Sequence, residues 1–226
     1  MGDYQMLQDG DRVLVAVSGG KDSLTLLHVL LYRQKIIPID VALKVVHVDA
    51  GFPGFPLSKL IKHFEQLGVD YHIERTNFLK NKDLEDLNCF WCSWNRRKVL
   101  FDLAKRFGFN KIAFGHHKDD IVETILLNLF FRGEIGAMRP KQEFFNGKVV
   151  AIRPLAYETE ERIDRFARST KLDRVCPFRC PRAQDTKRRM IKQLLKRLEK
   201  KNPSIKGNIF QALQNVRQEY LLDPVE

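Results

Sequence analysis

The chain has 226 residues, of which 44% are hydrophobic and 30% charged, and its net charge is +11. That balance supports a packed core and excludes wholesale disorder, and the length fits one α/β domain with an appendage. No apolar run approaches the ~20 residues that span a bilayer, and the first residues, Met1 to Gln5, lack the charged-then-apolar layout of a secretory signal, so a cytoplasmic protein with no membrane partner is expected.

Strand and helix patterns alternate from the start. Arg12–Val17 is a β-branched run that stops at Ser18-Gly19-Gly20, and a helical pattern follows from Asp22-Ser23 through Leu24, Leu26, Leu27, Leu30 and Leu31. Val41–Val48 reads as a second strand ending at Asp49-Ala50-Gly51. Leu57–Leu67 reads as a helix with Leu60, Ile61, Phe64 and Leu67 on one face, and Asp70–Glu74 as a third strand. Ser93–Phe107 is helical, Lys111–Phe114 is a fourth strand, and Asp119–Phe131 is a helix with Asp120 and Glu123 at capping-box spacing. Val149–Ile152 is a fifth strand, followed by a helix from about Glu158 to Ser169. Such alternation predicts an α/β fold, a parallel sheet with helices on both faces, and ligands beyond the carboxyl ends of the strands. The tail differs: Arg182–Lys201 is basic, Asn202-Pro203-Ser204 reads as a break, and Gly207–Tyr220 as a short helix carrying Ile209, Leu213 and Val216. A boundary near residue 175 therefore separates a main domain, 1–175, from a basic helical extension, 176–226.

The charge is uneven. Residues 1–150 hold 21 Lys and Arg against 18 Asp and Glu, whereas residues 151–226 hold 18 against 10. A basic field concentrated in the last third suits a polyanion such as nucleic acid, and equally suits a solvated helix face.

The turn after the first strand carries Ser18-Gly19-Gly20-Lys21-Asp22-Ser23. Two glycines let the backbone turn sharply and approach a ligand, the amides of residues 19–23 converge at a helix N-terminus that favours phosphate, Lys21 adds a full charge and Ser18 and Ser23 add hydroxyls. The spacing is too short for the Walker loop. Two further segments follow strands: His47-Val48-Asp49, and Gly115-His116-His117-Lys118-Asp119-Asp120, whose carboxylates suit a hard cation such as magnesium. One of Asp119 and Asp120 also suits a helix cap. His116 and His117 lack a partner at metal spacing.

Four cysteines form two close pairs, Cys89 with Cys92 and Cys176 with Cys180. In a reducing compartment such pairs bind metal or do redox chemistry, and thiolate softness leaves structural zinc, a redox dithiol and an iron–sulfur cluster open. Arg96, Arg97 and Lys98 follow the first pair on the same helix; Arg96 and Arg97 suit RNA or phosphate, or a plain exposed face.

Ser-Gly-Gly-x-Asp-Ser between strand and helix resembles the PP-loop signature of ATP pyrophosphatases, whose fold is the adenine-nucleotide α-hydrolase sheet. Together with Cys89-x-x-Cys92, the late Cys176-Pro177-Phe178 and Arg153-Pro154-Leu155 before an acidic helix, it resembles the tRNA 2-thiocytidine synthetase-like family over roughly residues 10–220. The resemblance implies ATP cleaved between the α- and β-phosphates, with Ser18, Gly19, Gly20, Lys21, Asp22, Ser23, His47, Asp49 and Gly115 around the nucleotide. It implies magnesium, with Lys21, Asp120 and Arg96 in catalysis, and tRNA as substrate. It also implies a [4Fe-4S] cluster on Cys89, Cys92 and Cys176, whose fourth iron is open to sulfur delivered as sulfide or by a cysteine desulfurase or carrier. The late pair here is Cys-x-x-x-Cys where many relatives have Cys-x-x-Cys, which leaves Cys176 or Cys180 as third ligand. A homodimer is left open. The rival readings are an amide-forming PP-loop ligase, which needs no cysteines, and a non-catalytic RNA-binding module that holds zinc or a cluster; the intact Lys21, Asp49 and acidic pair argue against the second.

Overall fold

The computed structural model describes residues 1–76, 89–178 and 187–221. Cys180 and the start of the basic stretch, with Arg182, lie outside the described residues, as do the side chains of Asp3 and Cys89. The chain divides into two compact units, Met1–His117 with Arg139–Gln184, and Lys118–Met138 with Asp185–Glu226.

The first unit holds a six-stranded sheet. Its strands are β1 (Asp11–Ala16), β2 (Val41–Asp49), β3 (Tyr71–Arg75), β4 (Lys111–Ala113), β5 (Lys141–Phe144) and β6 (Val149–Ile152), in the order β3-β2-β1-β4-β6-β5. The five strands legible in the sequence are mutually parallel, with Val15 opposite Val45 and Ala113, and Ala113 opposite Ile152. Parallel strands covered on both faces read as continuous Val, Ile and Leu runs, which is why these five show. The sixth, β5, is an edge strand (Lys-Gln-Glu-Phe) paired antiparallel to β6 through a tight hairpin, and its polar composition hides it.

Two apolar clusters cover the sheet. On one face, Leu24, Leu26, Leu27 and Leu30 of α1 (Lys21–Ile36), Leu60 and Phe64 of α2 (Leu57–Leu67), and Ile163 and Ala167 of α5 (Glu160–Ser169) pack on Val13, Val15 and Val45. On the other, Leu100, Leu103 and Ala104 of α3 (Cys89–Phe107) pack on Leu14, Val46, Ile112 and Ala151. The helix α3 starts at Cys89 and not at Ser93: with no Gly or Pro between them, the helical bonds run on through the cysteine pair, and Asn95 Nδ2 donates to the Trp91 carbonyl at 2.9 Å. Thr159 caps α5, its Oγ1 accepting from Arg162 N at 3.3 Å.

At the amino edge of the sheet one charge pair is deeply buried. Lys111 and Asp11 are 3% and 4% exposed; Lys111 Nζ donates to Asp11 Oδ2 at 2.5 Å and to the Met6 carbonyl at 3.0 Å, and Asn110 Nδ2 donates to Asp11 Oδ1 at 2.8 Å. Each of these two charges has its partner.

The second unit is helical: α4 (Lys118–Arg132), α6 (Lys187–Lys201) and α7 (Ile205–Ala212) bury Val122, Leu126, Ile191 and Leu195 together, with Ile209 and Phe210 against them. The tail helix expected over Gly207–Tyr220 is shorter, 205–212, with a separate turn at Gln218–Tyr220. Asp119 and Asp120 lie in the first turn of α4, where Lys206 Nζ is 2.9 Å from Asp119 and the Arg188 guanidinium is 3.1 Å from Glu123 and 3.9 Å from Asp120.

Candidate active site

Strand β1 lies between β2 and β4, so chain order runs one way toward β3 and the other way toward β6. The crevice beyond the carboxyl ends of β1 and β4 is the switch point of the sheet. The phosphate loop occupies it. Ser18 N and Ser18 Oγ both meet Ser23 Oγ at 3.1 Å, Ser23 Oγ donates to the Gly20 carbonyl at 2.8 Å, and Gly20 N donates to Ser18 Oγ at 3.3 Å. Gly20 is the N-cap of α1, so the amides of Lys21, Asp22 and Ser23 form the helix's first turn, which has no intrahelical acceptors and carries partial positive charge. The hydroxyls expected from the sequence as ligand donors also lock the loop shape.

Two glycines in this crevice are required by what touches them. Gly19 has φ +89°, and a Cβ on it would fall 2.9 Å from Cys176 Sγ and 3.1 Å from the Phe55 ring. A Cβ on Gly115, after β4, would fall 3.0 Å from both Ser23 N and Ser23 Cα. The β4 turn is thus seated on the backbone that opens α1.

Lys21 is held by carboxylates. Its Nζ is 2.8 Å from Asp22 Oδ1, 2.9 Å from Asp164 Oδ1 and 3.8 Å from Glu160 Oε1. Burial alone would lower its pKa, but Asp22 and Asp164 more than offset that and raise it well above the ordinary 10.5, so the ammonium is firmly cationic. Asp164 and Glu160 were not singled out in the sequence; their signal is the acidic i,i+4 pair on the helix after Arg153-Pro154-Leu155.

His47 faces inward, 3% exposed, with Nδ1 donating to the Val17 carbonyl at 2.8 Å and its ring stacked on Phe55 at 4.9 Å. Burial lowers its pKa, with Arg96 adding to that, so the ring is neutral near pH 7. Asp49 Oδ1 accepts from Gly51 N at 2.9 Å, and its carbonyl accepts from Thr76. Both shape the β2 end of the crevice. Asp120 belongs to the second unit, described above.

Cys176 is a buried free thiol, and Cys92 is half-buried. They border one aromatic nest: Cys92 packs with Ala50, Phe52, Phe55, Trp91 and Phe178, and Phe55, which lies beside Cys176 at Gly19, meets Phe178 edge-on at 5.2 Å. Burial raises the Cys176 thiol pKa above its ordinary 9.0. Cys89, Cys92 and Arg96 are spaced i, i+3, i+7, one stripe along α3, and the Arg96 guanidinium lies 5.5 Å over the Phe52 ring. Among the described residues no three His, Cys, Asp or Glu side chains form a metal-holding group. Cys89's side chain lies outside those residues. The two described cysteines suit a soft metal group by their chemistry, and Cys176 is seated against a glycine where a Cβ would intrude.

The sequence and the fold have counterparts in known proteins. The PP-loop domain family model matches residues 3–176. The tRNA-cytidine(32) 2-sulfurtransferase of Geotalea uraniireducens is 42% identical over 227 residues, 98% of this chain and 90% of that protein. The chain belongs to this family of PP-loop proteins. The 2-sulfurtransferases of the same name from Geobacter sulfurreducens, 42% identical, and Pseudomonas putida, 41% identical, each match 98% of the chain, and 88% and 82% of their own length. The U34-tRNA thiolase NcsA from Methanococcus maripaludis, solved with its [4Fe-4S] cluster, shares the fold: TM-score 0.75 at 22% identity, over 96% of this chain and 74% of that one. Within the 2-sulfurtransferase family fold, the loop, Gly115, His47, Asp49, Cys92, Arg96 and Cys176 all lie in the first unit, and the acidic pair of α4 in the second. No helix of the described residues is long and apolar enough to cross a membrane.

Proposed function

We propose that the chain is an ATP-dependent tRNA sulfurtransferase that replaces the C2 oxygen of cytidine 32 with sulfur. The observation that carries the reading is the contact between Cys176 Sγ and Gly19: a thiol is seated on the phosphate loop itself, so adenylylation and sulfur chemistry share one crevice. The names of the 41–42% identical relatives supply the base and its position.

The C2 oxygen of the base attacks the α-phosphorus of magnesium-bound ATP, and pyrophosphate leaves. The first-turn amides of α1 and the Lys21 ammonium stabilise charge as it develops on the phosphates. To do so, Lys21, held cationic by Asp22 and Asp164 before the nucleotide arrives, turns its ammonium to phosphate oxygens, whose negative charge keeps it protonated. Asp120 is the candidate magnesium contact that the family resemblance implies. A sulfur nucleophile then adds at C2, the C2–O bond breaks, and AMP carries the oxygen away. A [4Fe-4S] group held by Cys89, Cys92 and Cys176 would supply an iron position open to sulfur. Phe52, Phe55 and Phe178, packed beside Cys92, would limit the access of water there. The exposed basic side chains of α6 are assigned to tRNA phosphates, and a sulfide source or sulfur carrier is the second partner.

Anaerobic reconstitution tests this reading. The expected result is a brown protein with about four irons per chain, the number a cubane requires, with colour lost in Cys92→Ala and Cys176→Ala and kept in Cys180→Ala. Stoichiometric zinc with full thiolation, or colour lost with Cys180 and kept with Cys176, overturns it.

A further inference from the structure

Buried charges come in pairs in folded proteins because an unpaired one is costly. Arg153, directly after β6, breaks this rule. It is 6% exposed, and among the described residues it has no carboxylate partner. Its Nη1 donates to the Arg139 carbonyl, its Nε has no hydrogen-bond partner, and its guanidinium lies 6.0 Å over the Phe114 ring. A guanidinium has five donors and no acceptor, so most of its hydrogen-bonding capacity is unspent.

The charge that acts on it has the same sign. Burial, with Arg97 of α3 adding to it, pushes the Arg153 pKa down to about 10. Neither Arg97 nor Arg96 forms an ion pair among the described residues; Arg97 Nε reaches only the Ser93 carbonyl at 3.4 Å, and Arg96 Nε is buried without a partner. Along β6, Val149 and Ala151 face the α3 side of the sheet, and Arg153 continues that alternation. Three arginines therefore lie on the α3 side of the carboxyl edge with no acid paired to them among the described residues. The amino edge of the same sheet shows the chain supplying an acid where the fold alone needs one, at Asp11 and Lys111.

We propose that Arg153 and Arg97 form an oxyanion site, distinct from the phosphate loop, that takes a backbone phosphodiester of the RNA substrate. The inference rests on the tRNA reading above. The nucleotide's own phosphates are the other source of the same chemistry. They are served by the loop, and β1, β4 and β6 are successive strands, so at ~4.8 Å per strand Arg153 stands about 10 Å along the edge from the loop. Arg96, near His47 and Phe52, lies on the same helix turn as Arg97, and Cys92 lies one turn before Arg96. A phosphate gripped by Arg153 and Arg97 would hold an adjoining base toward the crevice that holds Cys176 and Gly19. Arg153 is thus a positioning residue with specificity for nucleic-acid backbone and none for base identity.

The test has two arms on the full chain. In the first, with the loop filled by a non-hydrolysable ATP analogue, inorganic phosphate is titrated while the melting temperature is followed. Phosphate should raise the midpoint of wild type and not that of Arg153→Gln or of Arg97→Gln, whose side chain is exposed and whose fold is not at risk. In the second, tRNA affinity is measured against salt. Each variant should bind roughly tenfold more weakly with a log–log slope shallower by about 0.7 to 0.9, one phosphate's share, while ATP affinity without RNA stays unchanged. Arg153→Lys should restore part of the slope, which a purely structural role would not require. Equal phosphate response in wild type and both variants overturns the site, whatever becomes of the tRNA reading. A normal phosphate response with an unchanged tRNA slope, or an ATP affinity that falls in parallel, assigns the anion to the nucleotide and overturns the RNA assignment. Wild type that shows the phosphate response but binds no tRNA removes the thiolation reading and the RNA assignment with it.

Discussion

The two edges of one sheet treat charge in opposite ways. At the amino edge, Lys111 and Asp11 are buried against each other, with Asn110 and the Met6 carbonyl completing the set. At the carboxyl edge, Lys21 leans on partly exposed carboxylates, and Arg153, Arg97 and Arg96 have no acid partner among the described residues. The strands are continuous between the edges, so the core does not explain the difference. A charge satisfied within the chain contributes to stability; a charge left for a ligand costs stability and contributes binding.

The largest effect expected from this contrast is at the amino edge. Asp11→Asn leaves the Lys111 ammonium buried without its counter-ion and should cost about 3–5 kcal/mol of folding stability, read by denaturant unfolding, with pyrophosphate release unchanged in the protein that remains folded. Adding Lys111→Met should recover most of the loss. The pair also sets a pH signature. Burial pushes the Asp11 pKa up, but the bonds from Lys111, Gln8 N and Asn110 outweigh it and hold it below the ordinary 3.8. A depressed carboxyl pKa contributes stability that is complete above 3.8 and is lost as pH falls through the lower folded-state value. The acid limb of wild-type unfolding should flatten there in the double variant.

Next in size is Lys21→Ala, which should lower the rate of pyrophosphate release by roughly 100- to 1000-fold while shifting the melting temperature little, because the ammonium is partly exposed and lies outside the apolar core. A stable, fully active Lys21→Ala enzyme would dissolve the contrast between the edges.

Gly19→Ala is smaller and more pointed. A Cβ at φ +89° would fall 2.9 Å from Cys176 Sγ, so strain of about 1–3 kcal/mol is expected. Thiolation should fall more than adenylylation, measured as 2-thiocytidine against AMP.

The smallest effects belong to α6. Arg188 is tied to Glu123 at 3.1 Å, so its reversal mixes folding with binding. Reversing Lys196 and Lys200, both exposed, should weaken all RNAs alike and flatten the salt dependence by about 0.7 to 0.9 for each phosphate no longer neutralised, with stability within about 0.5 kcal/mol of wild type.

How much of this was legible in the sequence varied with the kind of interaction. The buried parallel strands and the loop at Ser18–Ser23 announced themselves, because a β-branched run meeting Ser-Gly-Gly-Lys-Asp-Ser has local meaning. The edge strand Lys141–Phe144 did not, since polar residues on a half-covered edge look like a loop. The partners of Lys21 were also hidden. Asp164 lies 143 positions away along the chain, and only the fold brings α5 over α1. The same holds for Arg153: its motif was visible, but its separation from acids among the described residues is a three-dimensional fact. The grouping of α4 with the tail helices arises likewise from Val122 and Leu126 meeting Ile191 and Leu195, an arrangement that periodicity within one helix cannot show.

The central claim is that one crevice performs both adenylylation and sulfur entry. The most direct measurement incubates anaerobically reconstituted wild type and Cys176→Ser with ATP, sulfide and unmodified tRNA, then quantifies AMP, pyrophosphate and 2-thiocytidine by nucleoside mass spectrometry. Wild type should yield 2-thiocytidine and AMP in equal amounts, and Cys176→Ser should still release pyrophosphate on tRNA while forming no 2-thiocytidine. Undiminished 2-thiocytidine in Cys176→Ser, or AMP formed at the same rate with no tRNA present, would contradict it.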